Sequence, residues 1–212
     1  MKLYGYWRSS AAYRVRIALH LKNIEFESQS IHLIKEGGQQ HQNDYVALNP
    51  SHLVPTLIDG DLVLNQSVAI IDYIEARYPQ TPLYPSDIAA KAKVQALALD
   101  IACEIHPINN LRVQQYLVQQ LGVNDKQKLA WVHHWMALGF ISVEKQLATS
   151  ASIYCFGDDI TLADICLIPQ VYNALRFGME MKNYPLISAI YERCNLVDAF
   201  IKAAPENQSD AQ

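Results

Sequence analysis

The stretch that decides the fold is residues 1–19, MKLYGYWRSSAAYRVRIAL. Lys2–Tyr6 reads as a short strand, and Arg8, Ser9 and Ser10 as a polar turn. An amphipathic helix begins near Ala11 or Ala12, with Val15, Ile17, Ala18 and Leu19 among its apolar residues. Two hydroxyls therefore stand where a strand hands over to the positive end of a helix dipole. Free backbone N–H groups and local hydroxyl donors stabilise an anion at such a place. The alternative reading is that Ser9 and Ser10 only cap the helix.

Working outward, Glu25–His32 (EFESQSIH) alternates like a second strand, and the loop KEGGQQHQND follows with Gly37-Gly38 as its breaker. Leu53–Ile58 and Leu62–Leu64 are short apolar strands flanking Asp59-Gly60-Asp61, a hairpin signal. Gln66-Ser67 opens a helix that stops ahead of Pro79, with Ser67 as a natural N-cap. The order β-α-β-loop-β-β-α describes a small α/β layer. Pro55, in Val54-Pro55-Thr56, suits a strand start or a cis turn, and a cis bond would turn the Val54 amide toward the front of the sheet.

From about Ala89 the chain is helical throughout, with Pro107 as an expected kink in the first long helix. Thr161 and Asp164 form a capping box ahead of ICLIPQVYNALRF, and Pro185 starts the next helix. TPLYPSDIAA reads as a linker and the closing APENQSDAQ as a frayed tail. The expected domains are residues 1–82 and the all-helical 88–212.

Composition restricts the function classes. The 212-residue chain is half hydrophobic and 18% charged, with a net charge of −4 and no Lys/Arg run to make a nucleic-acid surface. No apolar run reaches membrane-spanning length and no signal-peptide pattern is present, which points to the cytoplasm. Cys103, Cys155, Cys166 and Cys194 form no C-x-x-C pair or zinc spacing; Cys103 and Cys166 read as buried, inert thiols. No metal is expected. The adjacent His133 and His134 read as surface or interface residues.

The motifs carry a resemblance. RSSAAYRVRIAL is similar to the zeta-class glutathione transferase pattern Ser-Ser-Cys-x-Trp-Arg-Val-Arg-Ile-Ala-Leu. KEGGQQ, ALNPSHLVPTL, QSVAIIDYIE, GDDITLADICLIPQV and NALRF match the same class in order, from about residue 2 to 205. The resemblance to this maleylacetoacetate isomerase family implies a thioredoxin-like βαβ-ββα domain followed by an all-helical one. It implies glutathione as cofactor, a small diketo-acid substrate, and a homodimer in which the N-terminal domain of one subunit faces the helical domain of the other. The implied reaction is cis–trans isomerisation of maleylacetoacetate to fumarylacetoacetate in tyrosine and phenylalanine catabolism, with transferase side activity. Two alternatives are a maleylpyruvate isomerase of aromatic-acid degradation and a non-catalytic dimerisation module. A thioredoxin-type redox role is excluded, because Ser9-Ser10-Ala11-Ala12 occupies the place of a C-x-x-C pair.

The resemblance also implies residue roles. Ser9, assisted by Ser10 and the following amides at Ala11, would hold the glutathione sulfur as thiolate. Gln66 and Ser67 would hold the γ-glutamyl carboxylate, Val54 the cysteinyl backbone and Gln40 the glycine end. Arg14, His106 and Asn110 complete the glutathione-facing set, and Arg8, Arg112 and Arg176 are the candidates for the substrate carboxylates. Each has a plainer alternative: Ser67 a helix cap, Val54 core, Gln40 a solvated loop residue, Asn110 a helix-surface amide, Arg14 and Arg112 surface salt bridges. The family's usual cysteine is here Ala11 and its tryptophan Tyr13. The reactive sulfur is therefore expected to arrive only with glutathione.

Overall fold

The computed structural model describes residues 1–212. The chain forms two compact units: Met1–Pro82 together with Leu196–Gln212, and Leu83–Asn195. The expected second domain, 88–212, is thus corrected at its C-terminal end. The last seventeen residues belong with the first unit, because the short helix Asp198–Ala203 supplies apolar surface to the first helix.

In the first unit β1 (Lys2–Gly5), β2 (Glu27–Ser30), β3 (Thr56–Asp59) and β4 (Leu62–Asn65) form one mixed sheet in the order β2-β1-β3-β4. β1 runs parallel to β2 and antiparallel to β3, and β3 is antiparallel to β4. Leu3 lies opposite Leu57 and both are buried, which fixes the register through the core face of the sheet. α1 (Ser10–Leu21) packs on α3 (Ser67–Arg77) and on α9 (Asp198–Ala203). Ile17, Leu19, Ile70, Ile71, Ile74 and Phe200 are fully buried between them.

Three expectations for this unit change. A short helix, α2 (Asn43–Leu48), lies where a loop was expected, with Tyr45 buried as its anchor. β2 is shorter than the alternating stretch Glu25–His32, and β3 starts at Thr56 and not at Leu53. The tail is not frayed: Asp210 accepts hydrogen bonds from the Ser30 hydroxyl at 2.7 Å and the Trp7 amide at 3.3 Å. Arg16 secures the same segment, donating from Nε to the Ala203 carbonyl at 2.9 Å and from Nη2 to the Trp7 carbonyl at 3.0 Å.

The second unit holds α4 (Ile88–Leu99), α5 (Leu111–Gln119), α6 (Asp125–Ser150), α7 (Leu162–Arg176) and α8 (Pro185–Cys194). The long helix expected through Pro107 breaks up into a π-helical turn over Asp100–Ile105 and a 3-10 turn over Pro107–Asn109. α7 is the central helix, buried along almost its whole length. Asp164, completely buried, accepts from the Thr161 amide at 2.8 Å, the Thr161 hydroxyl at 3.0 Å and the Cys155 amide at 2.9 Å. Burial pushes its carboxyl up, against the opposing pull of those donors. The Glu144 carboxylate takes the Leu186 and Ile187 amides at 2.8 and 3.0 Å, capping α8 from the neighbouring helix.

Candidate glutathione site

Ser9 is the N-cap of α1, and its Oγ accepts the Ala12 amide proton at 3.2 Å. Capping uses a lone pair and leaves the hydroxyl proton available as a donor. The two readings of Ser9 as cap and as donor to a sulfur are therefore compatible. Ser10 is the first helical residue and is buried; Ala11 beside it is half-buried.

At the other helix the expectation is corrected. Ser67 is not a cap: it is the first residue of α3, and the N-cap is Gln66, which is exposed and makes no side-chain cap hydrogen bond. Gln66 has φ of 67°, in the left-handed region that a residue of this size seldom adopts. The first-turn amides of α3 thus have no side-chain cap. The Ser67 hydroxyl instead accepts a hydrogen bond from Arg14 Nη1 at 3.3 Å in the interior. Arg14 is 1% exposed, so a surface salt bridge does not describe it.

Val54 is half-buried rather than core, and its bond to Pro55 is cis. A buried network holds this segment. The Tyr45 hydroxyl donates to the Leu53 carbonyl at 2.6 Å and lies 2.9 Å from Thr56 Oγ1, while Asn49 Nδ2 donates to both at 2.8 and 3.1 Å. Neither Tyr45 nor Asn49 stood out in the sequence, since a buried polar pair has no local signature.

Gln40 is buried, not a solvated loop residue. Its Nε2 donates to the Leu33 carbonyl at 3.3 Å and lies 3.1 Å from His41 Nε2, while Oε1 is buried with no hydrogen-bond partner. Gly38, at φ of 99°, packs against this amide; a Cβ there would stand 2.5 Å from Nε2. What Gln40 offers is an acceptor, suited to a peptide N–H and not to a carboxylate. Arg8 is half-buried, its guanidinium 4.5 Å from the Trp7 ring centre.

In the second unit His106 is half-buried, and Asn110 caps α5 by accepting the Arg112 amide at 3.2 Å. Asn110 is thus a helix cap and not a bare surface amide. The Arg112 side chain is exposed. Arg176, at the end of α7, is exposed, with Nη2 donating to Asn173 Oδ1 at 2.8 Å and its guanidinium 4.3 Å from the Phe177 ring centre. His133, read from the sequence as a surface or interface residue, is half-buried and donates from Nε2 to the Phe177 carbonyl at 2.8 Å, holding the turn that carries Arg176. Cys103, within the π-helical turn whose buried residues are Ile101 and Ile105, is exposed, contrary to expectation. Cys155, Cys166 and Cys194 are buried, and burial pushes the Cys155 and Cys194 thiols well up, away from thiolate chemistry. No group of three or more His, Cys, Asp or Glu side chains is placed to hold a metal ion.

The fold and these helix ends define a glutathione transferase. Residues 3–82 match the family model for the glutathione S-transferase N-terminal domain. A probable maleylacetoacetate isomerase of Vibrio cholerae is 54% identical over 209 residues, spanning 99% of this chain and 97% of that one. The holo structure of a maleyl pyruvate isomerase, a bacterial zeta-class glutathione S-transferase, superposes with a TM-score of 0.97 at 43% identity, all of both chains covered. A maleylacetoacetate isomerase from Methylobacterium extorquens AM1, solved with bound malonate and glutathione, gives 0.96 at 37% identity, again over the full length of both. The chain belongs to the zeta-class glutathione transferase and maleylacetoacetate isomerase family.

Proposed function

We propose that this protein is a glutathione-dependent cis–trans isomerase that converts maleylacetoacetate to fumarylacetoacetate. The single observation that carries the reading is the Ser9 hydroxyl. It accepts a hydrogen bond from the first turn of α1 and keeps its proton available to donate to a ligand at the positive end of that helix.

The residues present fit glutathione. The first turn of α3 has no side-chain cap and suits the γ-glutamyl carboxylate; Gln40 Oε1 is a buried acceptor without a partner and suits the glycyl N–H. Glutathione, when bound, supplies a thiolate that adds reversibly across the cis double bond, so that the bond between the former alkene carbons rotates before the thiolate leaves. Ser9 favours the ionised sulfur: about 1.4 kcal/mol of differential stabilisation lowers a thiol pKa by one unit. One charge-assisted hydrogen bond at a helix N-terminus suffices for that. Ser10 and the Ala11 amide assist, the Ala12 amide being taken by the Ser9 cap. Arg176 holds a substrate carboxylate, its guanidinium oriented by Asn173 and the Phe177 ring; Arg8 and Arg112 are further clamps. His106 and Asn110, in the second unit, are the remaining candidates for glutathione contact.

The reading extends to tyrosine and phenylalanine catabolism, a cytoplasmic location in keeping with four free thiols, and a homodimer in keeping with exposed Leu62 and Val63 on the edge strand β4. A maleylpyruvate isomerase is the second reading, favoured by the TM-score of 0.97 to an enzyme of that name. The retained Ser9 and Ser67 argue against a non-catalytic module. Initial rates on maleylacetoacetate and maleylpyruvate, with and without glutathione, test the proposal. The expected result is glutathione-dependent turnover, faster on maleylacetoacetate. Turnover that persists without glutathione overturns the mechanism; preference for maleylpyruvate selects the second reading.

A further inference from the structure

Arg14 is among the largest fully buried side chains of the molecule, yet it carries a permanent charge. Its Nη1 reaches across from α1 to the Ser67 hydroxyl, the first residue of α3, at 3.3 Å. A guanidinium has no acceptor, so the direction of this hydrogen bond is settled by chemistry: Ser67 Oγ accepts. The hydroxyl proton of Ser67 is not consumed by that bond and is left to donate. A cation on the acceptor side also polarises the hydroxyl and strengthens it as a donor.

The backbone around Ser67 points the same way. Gln66, at φ of 67°, provides no cap, so the amides of the first turn and the Ser67 proton all remain as donors at one helix end. In an ordinary N-cap the hydroxyl oxygen would accept a first-turn amide and remove one of those donors. Here Arg14 takes the hydroxyl's lone pair instead, and both first-turn amide and hydroxyl proton are kept for the ligand.

We infer that Arg14 is a positioning residue for anion recognition: it fixes the Ser67 hydroxyl as a donor toward the γ-glutamyl carboxylate without touching glutathione itself. This rests on the glutathione reading given above. Ser9 obeys the same logic with a backbone partner, Ala12 N–H, in place of the arginine. The two serines are held as acceptors from inside the protein and present protons outward.

The test separates positioning from general support of the fold. Dissociation constants are measured by calorimetry for glutathione and for γ-aminobutyryl-cysteinyl-glycine, which lacks only the γ-glutamyl α-carboxylate. The proteins are the wild type, Arg14→Lys, Arg14→Met, Ser67→Ala and the double variant Arg14→Lys/Ser67→Ala, each checked for its melting transition. The expected result is a loss of about tenfold in glutathione affinity for both Arg14 variants. The loss with the decarboxylated analogue should be within about twofold, since the carboxylate whose recognition Arg14 supports is gone. In the Ser67→Ala background, Arg14→Lys should cost nothing further. Equal losses for both ligands, or additive losses in the double variant, overturn the inference. If Arg14→Met does not fold, the Arg14→Lys and Ser67→Ala arms still decide it. A wild type that binds neither peptide overturns the glutathione reading itself, and one that binds both equally overturns carboxylate recognition by Ser67.

Discussion

Ser9 Oγ accepts the Ala12 amide proton at 3.2 Å while its own proton is left to donate, so one hydroxyl begins α1 and is still free to serve as the donor proposed above. Replacing Ser9 by Ala removes both functions. Loss of the cap costs about 1 kcal/mol of stability. The pKa of enzyme-bound glutathione should rise by about one unit or more, read from the pH dependence of its ultraviolet thiolate absorbance. An unshifted titration in the variant removes Ser9 from the thiolate role.

Arg176 is exposed but held by Asn173 and the Phe177 ring, and the Phe177 carbonyl is itself held by His133. Arg176→Ala should raise KM for the diketo acid by about tenfold or more, the worth of a charged hydrogen bond, and leave glutathione affinity unchanged. Steady-state kinetics with each reactant varied in turn checks this; unaltered KM for the acid rejects the clamp.

His20 sits half-buried at the end of α1 with the Phe26 ring 5.5 Å away, facing Arg16 on its own helix and Lys202 on α9. Burial first, then the charges of Lys202 and Arg16, hold its pKa below the ordinary 6.5. A depressed value means the folded state prefers the neutral ring. Its contribution to stability is complete above about pH 6.5 and is lost as pH falls through the lowered value. Melting temperatures measured down through this range should fall less steeply for His20→Gln than for the wild type. Identical slopes would show that His20 is not coupled to folding.

Phe200, completely buried on α9, is the apolar anchor of the C-terminal segment, and the neighbouring Ala203 carbonyl takes the Arg16 guanidinium. Phe200→Ala should destabilise the protein by about 3–5 kcal/mol, seen as a lower urea midpoint. A change below about 1 kcal/mol would mean that the segment is not integral to the first unit.

Much of the first unit was legible along the chain. Strand and helix period, the Ser9 turn, the hairpin at Asp59-Gly60-Asp61 and the helix after Gln66 are set by neighbours a few residues apart, and these local rules hold in the structure. The thiol-poor character of the Ser9 turn was equally plain, because Ala11 and Ala12 stand where other residues would supply sulfur. Local rules also explain the errors. Ser67 reads as an N-cap by type and position, yet its hydroxyl is engaged by an arginine fifty-three residues earlier.

What only the tertiary structure decided are the features whose partners lie far apart in the chain. Arg14 reads as a glutathione-facing residue or a surface salt bridge, yet it is buried and reaches from α1 to Ser67 at the start of α3. The segment after Asn195 reads as the end of a helical domain with a frayed tail, yet Arg16, Trp7 and Ser30 draw it onto the first unit. Sequence by itself determined that two serines stand at helix ends and that Ser9 caps its own helix; the buried charge of Arg14 determined which side of the Ser67 hydroxyl is engaged inside, and the return of the tail determined where the first unit ends. The physical reason is that a cap is a contact over three residues, whereas the direction of a hydroxyl depends on whichever distant donor the fold brings to its lone pair.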